Sequence, residues 1–274
     1  MTADTAISEM PQAPVLHAEI SRIGLLRITL ANPPANALSE ELLDAFQAAV
    51  ERAAADDDIR VVVIAAEGRI FSAGHDLKEL TAHRSDSDGG HAYFKQIFRR
   101  SAAIMSDLRA LPKPVIAEID GLATAAGCQL VASCDMAIAS SRASFGANGV
   151  DFGLFCSTPM VALSRNVPRK LALEMLMTGE IIDVERAREA GLVNRVVEPD
   201  RLHAETDETI DRLLVRPANV LALGKGAFYR QLNMDLGDAY HFAVQTIADN
   251  MLMVEAQEGI SAFLDKRKPN WGGD

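Results

Sequence analysis

The sequence predicts an α/β protein with a helical C-terminal region. A continuous apolar run at residues 61–65 is typical of a strand that is buried on both faces, and the segments 115–119 and 136–139 partly resemble it. Segments with apolar residues at helical spacing alternate with these runs. From about residue 207 onward the strand signal ends and helical patterns dominate. These three observations favour an α/β core followed by a bundle of helices.

The first elements are predicted to be a hairpin and a helix. Strand-like runs at 15–20 and 25–30 flank a short turn, in which Gly24 supplies the positive φ that a tight reversal needs. Ser39 is followed by two acidic residues, as is typical of an N-cap with negative charge placed against the helix dipole. We therefore expect a helix over 40–54.

Helices are also predicted further along the chain. One is expected over 91–108, and a shorter one over 129–133, after a bend of small residues at 125–127. The C-terminal helical patterns cover residues 210–215, 220–229, 240–254 and 259–266. No short-period repeat and no linker rich in Gly and Ser is present, so we expect the helical region to pack on the core or on another subunit.

Length and composition indicate one large folded domain with an appendage. The chain has 274 residues, of which 49% are apolar and 24% are charged, which argues against disorder. We expect a flexible N-terminus over 1–13, an α/β core over 14–206 and a helical region over 207–274. The net charge of −11 provides no basic footprint for nucleic acid, so we expect no nucleic-acid partner.

The sequence also predicts where the protein resides. The longest apolar region, 115–139, contains four polar residues that are costly in hydrocarbon, so we expect no membrane span. The N-terminal residues lack the apolar segment of a secretory signal and the basic pattern of a transit peptide. The three cysteines form no C-x-x-C pair, which favours a reducing compartment. From these features we expect a cytoplasmic location.

Two segments of small residues, 71–78 and 120–130, follow runs that are predicted to be buried strands. Loops of this kind at helix starts can direct two backbone N–H groups at one oxygen and so stabilise an oxyanion or a thioester enolate. Close packing of the backbone would explain the same small residues. The absence of a P-loop, H-E-x-x-H, G-x-S-x-G and paired Cys/His spacing argues against P-loop nucleotide hydrolysis and zinc chemistry, and we expect no metal site.

An ordered set of motifs makes the chain similar to a known family. In chain order they are N-P-P-A-N-A-L at 32–38, F-S-A-G-H-D-L-K-E-L at 71–80, K-P-V-I-A at 113–117, the segment 120–135, S-F-G at 144–146, A-R-E-A-G-L-V at 187–193 and E-G-I-S-A-F-L-D-K-R-K-P at 258–269. This set resembles the enoyl-CoA hydratase/isomerase (crotonase) superfamily. The resemblance implies a crotonase-like spiral of ββα units with a C-terminal helical trimerisation region, and assembly as a homotrimer or hexamer. It also implies a coenzyme A thioester as substrate, with no separate cofactor.

By position, the resemblance assigns the two oxyanion-hole donors to the backbone N–H groups of His75 and Ala126. The positions that it assigns to coenzyme A and the acyl path are Ala35, Ala73, His75, Asp76, Leu77, Lys78, Ala126 and Lys266. In this assignment Lys266 helps to bind the phosphates, whereas the charge pattern alone indicates a solvated face. The His75 imidazole is either a partly exposed group without a catalytic role or an acid–base group.

Hydratases of the family that this chain resembles use two glutamates to position and deprotonate water. This sequence has other residues at both positions. These positions are Gln129, which cannot act as a carboxylate base, and Gly149, which has no side chain. Asp151 is either a replacement carboxylate or an ordinary solvent-facing residue. Gln129 either orients a water or substrate or satisfies nearby backbone groups. Cys156 is either a loop residue that faces the acyl group or a buried structural thiol.

The main functional hypothesis is an acyl-CoA-binding enzyme that stabilises a thioester enolate in hydration, isomerisation or a related lyase reaction. Its candidate catalytic positions are His75, Ala126, Gln129, Gly149 and Asp151. A chain of this kind would conventionally be named an enoyl-CoA hydratase, although both usual glutamates are replaced. One alternative is a catalytically weak acyl-CoA-binding protein, and another is a thioesterase or decarboxylase of the same fold.

Overall fold

Ten strands form two β-sheets within residues 13–271, the part of the chain that a computed structural model describes. The strands are β1 (Leu16–Arg22), β2 (Leu25–Leu30), β3 (Val61–Ala66), β4 (Ile70–Ser72), β5 (Val115–Ile119), β6 (Leu122–Thr124), β7 (Met136–Ser140), β8 (Ser144–Gly146), β9 (Ile181–Asp183) and β10 (Arg195–Val197). One sheet has the order β1-β2-β3-β5-β7-β10, and the other has the order β4-β6-β8-β9.

Eleven α-helices accompany the sheets in the described residues. They are α1 (Glu40–Ala55), α2 (Leu77–Ala82), α3 (His91–Ala110), α4 (Ala126–Ser133), α5 (Ser157–Asn166), α6 (Arg169–Thr178), α7 (Val184–Glu189), α8 (Leu202–Leu214), α9 (Ala218–Gln231), α10 (Leu236–Met251) and α11 (Val254–Leu264). Short 3₁₀ turns cover His83–Ser85, Asn148–Phe152 and Pro199–Arg201.

The chain repeats a strand, a second strand and a helix, and each repeat gives one strand to each sheet. Strands β3, β5 and β7 lie next to one another in the larger sheet, whereas β4, β6 and β8 lie next to one another in the smaller sheet. The neighbours within each set are parallel. Helices α2, α4 and α5 follow the three strand pairs. This arrangement confirms the predicted spiral of ββα units.

The elements with long apolar patterns match their predictions closely. Strands β1 and β2 pair antiparallel from Leu16 opposite Leu30, and Gly24 between them has a φ of 81°. The Ser39 side chain accepts a hydrogen bond from the Leu42 N–H at 3.2 Å, so it caps α1 as predicted. Apolar side chains on the inner face of α1 are fully buried against the sheet.

Several elements were absent from the sequence predictions. Strands β4, β6, β8 and β9 have three residues each, which is too short for an alternating apolar pattern to be recognised. Helix α4 begins at Ala126 rather than at residue 129, because Ala125 adopts a φ of 49° and turns the chain directly into the helix. Strands β4, β6 and β8 lead into segments that line the candidate site, and helix α4 begins at it.

The C-terminal helices differ in how they contact the core. Leu202 and Ile210 of α8 are buried against the larger sheet, and this helix begins five residues before the predicted onset of the helical region at 207. Helix α9 is held by polar contacts: Lys225 Nζ lies 2.7 Å from Asp135 Oδ2, and the Tyr229 hydroxyl donates to Asp135 Oδ1 at 2.8 Å. Neither α9 nor α10 contains a buried residue.

Two predictions concern membranes and the N-terminus. Within residues 13–271 no helix has both the length and the apolar character needed to cross a bilayer. The predicted flexible segment 1–13 lies, apart from Ala13, outside the described residues. The division of the chain at residue 206 stays a prediction.

Candidate active site

A cavity of about 340 Å³ lies where the segment after β4, the start of α4 and the loop before α5 meet. Its lining residues are Ala73, His75, Leu77, Leu80, Phe98, Ala125, Ala126, Asn148, Gly149, Phe152, Leu154, Phe155, Cys156, Ser157, Thr158 and Pro159. We call it the site cavity. It brings together five of the predicted positions, Ala73, His75, Leu77, Ala126 and Gly149.

A wider groove of about 850 Å³ lies between α5, α6 and α9. It is lined by residues such as Arg165, Leu173 and Tyr229, and by none of the positions that the sequence assigns to the site. The smaller site cavity is therefore the one that bears on the predicted chemistry.

The backbone around His75 is fixed by hydrogen bonds to the segment before α1. The Ala73 N–H donates to the Ala35 carbonyl at 2.9 Å, and the Leu38 N–H donates to the Gly74 carbonyl at 2.8 Å. The Ser72 hydroxyl donates to the Asn36 carbonyl and accepts from the Gly74 N–H. Within residues 13–271 the His75 N–H itself donates no hydrogen bond. The hydrogen bonds between residues 72–74 and residues 35–38 form a rigid backbone frame. The His75 N–H is held in this frame without an acceptor among the described residues.

The start of α4 is pressed against this frame. A Cβ added to Gly127 would lie 2.2 Å from the Ser72 carbonyl oxygen, and one added to Gly74 would lie 3.0 Å from the Ala126 nitrogen. Gly74 also has a φ of 87°, which favours glycine. These glycines let the His75 and Ala126 backbones approach each other.

The Ala126 N–H has no acceptor in its own helix. Ala126 is the first residue of α4, and the first N–H groups of a helix lack an intrahelical partner. No other acceptor for it occurs in the described part of the chain. The same N-terminus carries the positive end of the helix dipole. Two amides without acceptors, those of His75 and Ala126, therefore lie beside one cavity.

The His75 side chain forms part of the cavity wall. Its ring contacts Phe98 edge to face, with centroids 4.8 Å apart. Both ring nitrogens are buried, and neither makes a hydrogen bond within residues 13–271. Burial lowers the pKa of His75 to about 4, and the nearby Leu38 backbone opposes a smaller part of that shift. The imidazole is therefore neutral near pH 7.

Gly149 and Cys156 fit together on the opposite side of the site cavity. A Cβ added to Gly149 would lie 2.7 Å from the Leu154 carbonyl oxygen and 2.8 Å from Cys156 Sγ. The thiol and the turn thus occupy the space that a side chain at 149 would need. Cys156 is a free, buried cysteine, and burial raises the pKa of its thiol.

Two predicted positions near α4 and the 3₁₀ turn do not line the site cavity. Gln129 is buried in α4, and its Oε1 has no hydrogen-bond partner within residues 13–271. Asp151 is exposed, and its carboxylate lies beside Gly179, since a Cβ added there would be 2.7 Å from Oδ1. Among the residues that the structure describes, neither a carboxylate nor the Gln129 amide lines the cavity wall.

The other assigned positions also lie outside the cavity wall. Asp76 caps α2 by accepting from the N–H groups of Lys78 and Glu79 at 2.7 and 3.2 Å. The Lys78 side chain is exposed, and Lys266 is exposed just after α11. Ala35 contributes its carbonyl to the frame around the site.

Sequence reasoning did not identify Phe98 or Asn148 as site residues. Phe98 belongs to the apolar pattern of α3, which does not distinguish a core contact from a cavity wall. Asn148 accepts a hydrogen bond from the Thr124 hydroxyl at 2.6 Å, a contact between residues 24 positions apart. Only the folded chain brings these residues to the site cavity.

Solved structures share this fold. The crystal structure of human enoyl-CoA hydratase domain-containing protein 3 is 46% identical, with a TM-score of 0.89, covering 94% of this chain and 100% of that one. The crystal structure of an enoyl-CoA hydratase from Mycobacterium smegmatis is also 46% identical, with the same TM-score, covering 94% of this chain and 99% of that one. The fold is therefore the crotonase fold.

The sequence gives the family directly. The chain matches the enoyl-CoA hydratase/isomerase family over residues 21–274. The human protein named enoyl-CoA hydratase domain-containing protein 3, mitochondrial, is 48% identical over 249 residues, covering 90% of this chain and 80% of the relative. A probable enoyl-CoA hydratase of Bacillus subtilis is 30% identical over 255 residues, covering 90% and 95%. This chain belongs to the enoyl-CoA hydratase/isomerase family.

One prediction from sequence is wrong. A cytoplasmic location was expected, but the human, mouse, rat and frog relatives at 46–48% identity all carry the word mitochondrial in their names. The expectation depended in part on the cysteines, all three of which are free and buried in the structure. Unpaired cysteines indicate a reducing environment only, so they could not identify the cytoplasm.

Proposed function

We propose that this protein binds acyl-CoA thioesters in the site cavity and stabilises the thioester enolate with the N–H groups of His75 and Ala126. The observation that carries the proposal is the pair of adjacent amides without acceptors in the described residues. Donors fixed before the reaction begins need no reorganisation when negative charge develops on the thioester oxygen. Family membership supports an acyl-CoA ligand.

The shape and composition of the site cavity support the same ligand class. Its volume of about 340 Å³ lies within the usual range for small-molecule sites. Most of the wall is apolar, with side chains such as Leu80, Phe98 and Phe155. Such a wall fits an acyl chain, whereas the two amides fit the thioester carbonyl.

Within residues 13–271 the cavity lacks the two glutamates that hydratases of the family use, and this limits which reactions its residues can support. The cavity wall contains no Asp or Glu among the described residues, and the space beside Gly149 is filled by Cys156 and the Leu154 carbonyl. Water addition by two carboxylates therefore has no support from this chain's residues. We propose enolate chemistry with a different proton-transfer group. The absence of a carboxylate favours a second candidate, an acyl-CoA-binding protein with weak turnover.

The C-terminal helices support the proposal of a homotrimer or hexamer. Helices α9 and α10 leave large apolar side chains exposed, including Phe228, Tyr240, Val244, Ile247 and Met251. An apolar surface of this kind is typical of a contact between subunits. In such an assembly we propose that Lys266 contacts the phosphates of coenzyme A.

Hydration of crotonyl-CoA by the purified protein tests whether it is a hydratase, as several relatives are named. Loss of the enoyl-thioester absorbance measures the rate. The variant Ala126→Pro removes one amide, and we expect about a 10²–10³-fold loss of turnover. Leu236→Pro is the matched control, because Leu236 is also the first residue of a helix but lies in exposed α10.

A binding measurement covers the case in which no turnover is found. Infrared spectra of a thioester labelled at its carbonyl carbon should show a lower carbonyl frequency when it binds to the wild-type protein and to Leu236→Pro. A smaller shift is expected for Ala126→Pro, provided that its melting curve remains cooperative. An unchanged frequency on binding to the wild-type protein would contradict the proposed role of both amides.

A further inference from the structure

The His75 imidazole is an unusual group in the wall of the site cavity. The side chains around it, Leu77, Leu80 and Phe98, are apolar. Its two ring nitrogens are buried and have no hydrogen-bond partner in the described part of the chain. Leaving a buried polar group unpaired costs free energy, so native proteins pair nearly all of them. The two nitrogens therefore require an explanation.

Two other polar side chains in the wall make hydrogen bonds within the chain. The Asn148 carboxamide oxygen accepts from the Thr124 hydroxyl, and the Ser157 hydroxyl donates to the Phe155 carbonyl at 3.2 Å. The imidazole is neutral near pH 7, so it presents one donor nitrogen and one acceptor nitrogen. A hydroxyl oxygen can pair with either of these nitrogens, and a carbonyl oxygen can accept from the donor nitrogen, in both cases without any charge.

We propose that the His75 imidazole binds a hydroxyl or carbonyl oxygen on the acyl chain, a few bonds from the thioester, and so selects oxygenated acyl groups over plain alkyl groups. This inference depends on the acyl-CoA function proposed above. The backbone N–H of the same residue contacts the thioester oxygen in that function. The side chain and the backbone of His75 would thus form hydrogen bonds with two different oxygens of one ligand.

The local packing is compatible with this role. The backbone of His75 is fixed by the hydrogen bond from the Leu38 N–H to the Gly74 carbonyl, and its ring lies edge to face against Phe98, close to the Leu38 backbone. Rotation about the bond to the imidazole is soft, because such torsions have broad minima. The ring can therefore turn a nitrogen toward the ligand while the backbone amide stays in position.

Calorimetric titration with four thioesters tests the proposal: butyryl-CoA, 3-hydroxybutyryl-CoA, 4-hydroxybutyryl-CoA and acetoacetyl-CoA. We expect at least one oxygenated thioester to bind the wild-type protein about tenfold more tightly than butyryl-CoA, which is the difference that one net hydrogen bond produces. The variant His75→Phe keeps the aromatic contact but removes both nitrogens. In this variant the ratio of the butyryl-CoA Kd to the Kd of the preferred oxygenated thioester should fall to about one. His75→Asn, which restores a donor and an acceptor, should recover part of the preference.

The control is His83→Phe, the same chemical change at a histidine that stacks on Tyr93 and does not line the site cavity. It should leave the ratio unchanged. Nitrogen NMR of protein labelled at histidine gives a second readout: one resonance, identified by its loss in His75→Phe, should shift with the preferred oxygenated thioester and not with butyryl-CoA.

The outcomes separate this inference from the function on which it depends. If the wild-type protein binds none of the four thioesters, the acyl-CoA function fails, and the selectivity fails with it. If it binds all four equally and the His75 resonance does not move, the selectivity is overturned while the function stands. Equal loss of affinity for all four thioesters in His75→Phe also overturns it, because the ring would then only support the amide frame.

Discussion

All eight residues of α4 are buried, whereas none of the fourteen residues of α9 is. Helix α4 is enclosed by its own chain, with β4 against its first turn and α5 along its side. Helix α9 is attached to the core chiefly by the ion pair and hydrogen bonds of Lys225 and Tyr229. Both helices carry apolar side chains, but those of α4 are buried within the same chain, whereas Phe228 of α9 remains exposed.

The two helices differ in whether their surroundings are fixed by the single chain or by the proposed assembly. Around α4, small residues bring backbone close to backbone, so the positions of the His75 and Ala126 amides depend on the single chain. Along α9 and α10, large apolar side chains remain exposed, so their surroundings depend on the proposed assembly. Mutations in the two regions should therefore have unequal effects on stability.

The largest effect is expected for Gly127→Ala. The added Cβ would lie 2.2 Å from the Ser72 carbonyl oxygen, which is backbone and cannot move without shifting β4. We expect the free energy of unfolding to fall by about 4 kcal/mol or more, as measured by urea titration. A loss below about 1 kcal/mol would mean that α4 and β4 are packed less rigidly than the structure indicates.

An intermediate effect is expected from His75, whose ring nitrogens are buried in the wall of the site cavity. Its pKa is lowered from 6.5 to about 4, so the unfolded chain binds a proton there between these pH values and the folded chain does not. The contribution of His75 to stability is thus complete above pH 6.5 and is lost as the pH falls toward 4, by up to about 3 kcal/mol.

The measurement for this prediction is urea unfolding at a series of pH values. His75→Phe should show a shallower loss of stability than the wild-type protein between pH 6.5 and 4. Parallel curves for the two proteins would show that the imidazole becomes protonated in the folded state as readily as in the unfolded state.

The smallest effect is expected for Gly226→Ala in α9. Within the described residues nothing lies within 4 Å of the added Cβ, and alanine favours a helix over glycine, so we expect a gain of about 0.5–1 kcal/mol. Unfolding at several protein concentrations checks this. A loss of stability that grows with protein concentration would instead place another subunit against α9. It would mean that α9, unlike α4, is packed by a second copy of the chain.

Sequence patterns predicted the elements that are defined by local residues, and they missed the elements that are defined by distant partners. The buried runs of β3 and β5 and the Ser39 cap of α1 are local signals, and the structure confirms them. Strand β4 is three residues long and is defined by its partner β6, which lies about fifty residues further along the chain. No local pattern contains that information.

The site follows the same rule. The resemblance of ordered motifs identified the segments that carry His75, Ala126 and Gly149, and the structure brings all three to one cavity. It could not reveal that Cys156 fills the space beside Gly149, or that Phe98 supports the His75 ring. These contacts join residues whose spacing has no period, so they become visible only in three dimensions.

The two ends of α4 face different parts of the protein. Its first N–H lies at the site cavity, and Asp135, two residues beyond its last turn, holds Lys225 and Tyr229 of α9. An eight-residue helix is about 12 Å long, and this one is enclosed along its whole length. Helix α4 is therefore one rigid element that joins the attachment of α9 to the position of the Ala126 amide that we propose for the oxyanion hole.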